Sequence, residues 1–170
     1  MKLEEINLLY EYNYWASAKI LLAGISLKKE DFLESTNHTY KTIRGTLSHL
    51  LAAEWIWRVR CDEGISPDSL LDETQFASFL DVMARFGEEE SKMRGFLSRL
   101  TEDALNAPII YKDTQGQEHT QMMWEILMHV ILHGMQHRAE AAAILTDFGH
   151  SPGDIDFIMY LRGNYLELKG

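Results

Sequence analysis

The stretch QMMWEILMHVILHGMQHRAEAAAILTDFG, residues 121–149, decides the fold. Its apolar positions Met122, Ile126, Val130 and Ile144 recur at helical spacing and share one arc with His133 and His137. Thr120 ahead of it is an N-cap candidate. Gly149 behind it suits the position just past a helix end, where the backbone turns left-handed. The reading is a long helix from after Thr120 to around Phe148, with one face turned inward.

Three more segments have the same period. From Leu3 into the twenties, Leu8, Leu9, Tyr12, Trp15, Ala16 and Ile20 recur three and four apart. A second helix starts near Thr42, its candidate cap, and runs through IRGTLSHLLAAEWIWRV without a capping-box acid. A third spans Phe76 to Leu100, with Val82, Phe86, Met93 and Leu97 in its apolar stripe. Lys28 to His38 reads as a polar connection, and CDEGISPD as a turn around Gly64 and Pro67. PIIYKDTQGQEH, residues 108–119, breaks the helical pattern, with Ile109 to Tyr111 extended. The tail DIDFIMYLRG reads as a short helix or packed irregular segment. Four long helices imply an all-α, four-helix bundle, in one domain spanning residues 1–170.

Composition narrows the function. A net charge of -10, from 26 acidic and 16 basic residues, argues against a nucleic-acid or anionic membrane partner. Acids stand where a signal peptide would have its basic region and apolar core. Cys61 is the single cysteine, so no internal disulfide forms, and the simplest expectation is a cytoplasmic protein.

Histidines carry the strongest chemical signal. His129, His133 and His137 are spaced four apart, and a pair at that spacing can converge on one ion. All three cannot, since eight residues of helix span about 12 Å. Hydrogen-bonded core histidines fit the spacing too, but imidazoles on an apolar arc carry a desolvation cost unless hydrogen-bonded or metal-bound. A further ligand must come from a facing helix. His49 in LSHLLAAEW is the best placed; His38, His119 and His150 fall in connections. Glu140, on the same arc, is a candidate to orient a ring or to act as a general base. Cys61 lies about 18 Å of helical rise beyond His49 and is left out.

Over almost its whole length the chain resembles the DinB/YfiT-like superfamily of metal-dependent enzymes. The likeness lies in YNYWA (12–16), IRGTLSHLLAAEWIW (43–57), HVILHGMQHRAE (129–140) and the FG-S-P-DIDFIMYLR region. It implies a bundle with crossover connections, commonly a homodimer, binding a divalent ion such as nickel or zinc. Its ligands fall on His49, His133 and His137, with His129 at a position that is not normally a ligand. Where the family usually ends HHRGQ, this chain has QHRAE, which puts Glu140 at the glutamine position.

The first functional expectation is a hydrolase-like metalloenzyme acting on a small molecule, with Glu140 as its catalytic candidate. The second is a transferase or isomerase using a low-molecular-weight thiol, whose carboxylates Arg58, Arg60 or Arg138 would hold. The third is a metal-binding or structural protein without turnover. Trp15, Trp55, Trp57 and Trp124 read as core rather than pocket residues.

Overall fold

A computed structural model describes residues 1–167, with side chains through residue 163. Its long helices are α1 (Leu3–Gly24), α3 (Ile43–Arg58), α4 (Phe79–Leu97) and α6 (Met123–Asp147). Between them lie the short α2 (Lys29–Leu33) and α5 (Glu102–Leu105), and α7 (Phe157–Glu167) follows. A hairpin of β1 (Pro108–Lys112) and β2 (Glu118–Met122) precedes α6, with Ile110 opposite Thr120.

α1 packs against α6 and α4, and α3 packs against the same two, so α1 and α3 occupy opposite corners of a bundle. Contacts fix the directions. Phe79 meets Gly24 and Arg94 meets Glu11, so α4 runs against α1. His49 meets His133 and His137, while Trp57 meets His129, so α3 runs against α6. α3 and α4, paired through Arg58–Glu89 and Asp62–Arg99, therefore lie parallel. Residues 64–78 return the chain along the bundle between them, and the α1-to-α3 and α4-to-α6 connections cross diagonals.

Local chemistry sets the ends of these helices. Thr42 Oγ1 accepts the Gly45 N–H at 2.8 Å and caps α3. α4 starts later than expected, at Phe79 rather than Phe76. Ser78 caps it, and Asp81 accepts the Ser78 N–H at 2.8 Å in a reciprocal box. Thr120 is not the cap of α6: it pairs within the hairpin, and the helix opens after Met122, whose N–H donates to Glu125 at 3.1 Å. Backbone pairing across the hairpin outcompeted a side-chain cap. At the other end Gly149 has φ 82°, and His150 donates to the Leu145 carbonyl at 2.7 Å, closing α6 as expected.

The apolar interior has a small part, Tyr12, Ala16 and Tyr160, and two large ones. Ile20, Leu47, Leu51, Phe79 and Ile144 form one; Ile6, Tyr10, Met93, Leu105 and Leu127 form the other. Along the helices, buried polar residues are interspersed between these two groups. Asn13, Ser17, Glu54 and Arg138 are buried there, at the level of the histidines. No helix among the described residues is long and apolar enough to cross a membrane.

Candidate metal centre

α3 and α6 face each other with His49 on one and His133 and His137 on the other. Their ligand-capable nitrogens all lie within 4.8 Å of one another. His49 Nε2 and His133 Nε2 stand 3.0 Å apart. Two nitrogens bound to one ion at about 2.0–2.1 Å stand roughly 2.9–3.4 Å apart for bond angles between octahedral and tetrahedral. The donor set therefore fits a first-row divalent ion, and this histidine cluster is capable of coordinating one.

The surroundings keep the lone pairs free. Burial, reinforced by the neighbouring His137, lowers the pKa of His49 to about 4. Burial, then His137, His49 and His129, lowers His133 to about 4. Both rings are neutral at neutral pH, the form that ligates. His137 is buried, and its Nδ1 lies 3.2 Å from Glu140 Oε2. That contact leaves Nε2 to point at an ion and is the usual way a carboxylate orients a ligating ring. Glu140 Oε1 is also engaged, accepting the Thr39 N–H at 2.7 Å. Burial pushes the Glu140 carboxyl up, but hydrogen bonds from Thr39 and His137 outweigh it and hold it below the ordinary range.

Tyr40 was not singled out by the sequence reading. Its ring stacks on His49 with centroids 4.1 Å apart and meets His137 edge-on at 5.3 Å. The 36–41 loop puts it there. The Lys41 carbonyl accepts from Thr36 Oγ1 at 2.8 Å, and Lys41 itself sits at φ 66°, unusual for a residue with a Cβ. Any Cβ at Gly45 would collide with the Tyr40 carbonyl, so the glycine admits the loop against α3. The only sequence signal was an aromatic residue in a polar segment just ahead of a helix cap.

Beside the cluster opens a cavity of about 240 Å³, lined by His49, His133, Trp57, Arg60, Leu70 and His129 among others. The expectation for Trp57 needs correction: it lines this cavity. A wider, π-type turn at Val59–Glu63 extends α3 and places Arg60 on the same wall. The Arg60 guanidinium lies over the Trp57 ring at 4.6 Å and the Tyr111 ring at 5.1 Å, and its Nε has no hydrogen-bond partner among the described residues.

Other expected candidates are engaged elsewhere. Arg58 is buried against Glu89 and, at 2.6 Å, Glu63. Arg138 donates to Asn13 and Ser17. It folds back over Gly134, where a Cβ would meet its guanidinium. His129 is exposed, edge-on to Trp57 at 5.6 Å, and stands outside the ligand group. His119 pairs with Asp113 at 2.9 Å, His38 lies 4.0 Å from Asp147, and His150 lies 3.5 Å from Ser26. Burial pushes the Cys61 thiol up to about 12, so it is no nucleophile at neutral pH.

A family model described as DinB family matches residues 2–168. The chain belongs to the DinB family. It is 28% identical over 162 residues to Protein DinB of Bacillus subtilis (strain 168), across 90% of this chain and 91% of that protein. Within this DinB-family chain, the histidine that sequence spacing could not separate from His129 is the one held by Glu140.

Proposed function

We propose that this chain is a metal-dependent enzyme of hydrolase-like chemistry, holding nickel or zinc through His49, His133 and His137. One observation carries the reading: of three histidines whose ligand nitrogens lie within 4.8 Å of one another, His49 and His133 border a cavity of about 240 Å³. A divalent ion supplies polarisation of a substrate carbonyl or phosphoryl group and lowers the pKa of water. Three histidines leave room for a further ligand, as in catalytic rather than structural sites. His49 and His133 border the cavity and face its contents, while His137 anchors the set from the buried side. Glu140 holds the His137 ring, and since both its oxygens are engaged, orientation rather than proton abstraction is its part. Trp57 walls the cavity against water, and Arg60 offers a charge to a substrate anion.

Arg60 also favours a second reading, transfer involving a low-molecular-weight thiol. The protein offers no reactive thiol of its own, since Cys61 is held protonated by burial. A small thiol would bring the nucleophile, with Arg60 receiving its carboxylate. Metal analysis of the native chain with His49→Ala and His137→Ala tests the site. Undiminished, tight binding in both variants would remove the ligand assignment. Turnover of ester and amide substrates against thiol-conjugation substrates then separates the two chemistries.

A further inference from the structure

The seam between α1 and α4 holds a second cavity, of about 260 Å³, whose chemistry is unlike that of the histidine site. Glu54 of α3 contributes its carboxylate, with Tyr14 and Ser17 of α1 beside it. Met83 and Phe86 of α4 give an apolar wall, and Gly87 and Glu90 complete that side.

Glu54 is 5% exposed, and its Oε1 has no hydrogen-bond partner among the described residues. Oε2 receives only the Asn13 amide, at 3.5 Å, the outer limit of a hydrogen bond. The Tyr14 hydroxyl, buried too, lies close enough to the Glu54 carboxyl to favour its charged form, but among the described residues it has no partner at full hydrogen-bonding geometry. The neighbouring acids are satisfied: Glu89 by Arg58 and Arg85, Glu90 by Arg94 at 2.8 Å. Arg138 directs Nη1 of its guanidinium to Asn13 and Ser17, and its charge favours the Glu54 carboxylate without a hydrogen bond to it. A carboxylate enclosed this way is costly unless a donor or a cation meets it. Apolar walls with a few convergent polar groups are the make-up of a small-molecule site.

We propose that this cavity binds a small aliphatic amine, its ammonium group donating to Glu54 Oε1 and its chain lying against Met83 and Phe86. Such an amine, with a pKa near lysine's value of about 10.4, enters charged at neutral pH and supplies a donor together with a second positive charge beside that of Arg138. An alcohol of the same length supplies a donor alone. A carboxylate of the same length meets repulsion from Glu54 and Glu90. The site is independent of the metal reading.

The test is a titration of the full chain, its methionine methyls labelled with carbon-13, with n-hexylamine, 1-hexanol and hexanoate. The Met83 methyl resonance should shift saturably with the amine, at least tenfold more weakly with the alcohol, and not with the acid. Glu54→Gln should weaken amine binding at least tenfold and leave the alcohol unchanged. A Cβ at Gly87 meets nothing within 4 Å, so Gly87→Leu can be built there and should reduce binding of both. His133→Ala should respond as the native chain does, which separates this cavity from capture of the amine by an ion at the histidines. No Met83 shift, equal affinity for amine and alcohol, unchanged amine affinity in Glu54→Gln, or a lost response in His133→Ala would each overturn the proposal. If Glu54→Gln does not fold, the three-ligand series on the native chain decides.

Discussion

The seams α3–α6 and α1–α4 both hold ionisable groups out of water, and they handle the cost differently. Between α3 and α6, three imidazoles converge, and burial keeps His49 and His133 neutral, so the site is arranged around shared lone pairs. Between α1 and α4, burial raises the Glu54 carboxyl to about 7, offset in part by Tyr14, Arg138 and Asn13. A group that burial leaves neutral and lone-paired suits a cation with ligand bonds. A lone acid suits one with donor hydrogens. The two cavities are close in volume, about 240 and 260 Å³, so chemistry rather than size distinguishes them.

The largest effect that would break this comparison is loss of a ring. His49→Ala or His137→Ala should weaken nickel or zinc binding by more than about 100-fold, since a direct ligand outweighs the 10–100-fold effect of an outer partner. Calorimetric titration and loss of metal-dependent thermal stabilisation would report it. Next comes the group behind the ring. Glu140→Ala should lower metal affinity by about 10–100-fold, whereas Glu140→Gln, whose single amide oxygen can replace only the carboxylate oxygen facing His137 or the one facing Thr39, should restore part of it. If Glu140→Gln instead kept metal affinity and lost kcat, Glu140 would be the general base.

A smaller effect is expected at Arg60. Arg60→Gln should leave metal affinity unchanged and weaken inhibition by small carboxylates by about tenfold, near 1.4 kcal/mol for a charge-assisted hydrogen bond. Equal loss against neutral inhibitors would make it a packing residue.

The smallest effect is in the pH dependence of the metal-free protein. His49 and His133 are held at about 4 in the fold, against 6.5 for a free imidazole. Below pH 6.5 the unfolded chain therefore binds protons that the folded chain excludes. Their contribution to stability is whole above pH 6.5 and is lost as pH falls towards 4. Thermal melts across that window should show a falling Tm, and a His49→Gln/His133→Gln variant should flatten the fall.

Much of the bundle was legible because it rests on local periodicity. Leu47, Leu51, Ile126, Val130 and Ile144 repeat every third or fourth residue, and burial of such a stripe demands facing helices. The start of α6 was misplaced because the hairpin is a pairing between segments, Pro108 with Met122, which a helix-cap rule cannot see. Tyr40 escaped for a related reason: its ring reaches His49 only through the backbone of the 36–41 loop. Trp57 looked like core, and Arg60 was one of three candidate arginines, since the cavity they line exists only once the hairpin and α6 are in place.

Sequence by itself determined that helices would form, that histidines would lie on an inward arc of α6, and that a facing helix carried another at His49. Spacing along one helix is a local property, set by 3.6 residues per turn. Tertiary structure decided which nitrogens meet, that His129 stays at the cavity's rim, that Glu140 holds His137, and that Glu54 Oε1 has no hydrogen-bond partner among the described residues. Those outcomes depend on how far apart packed helices stand and which groups their packing shuts away from water, distances no single-helix pattern contains.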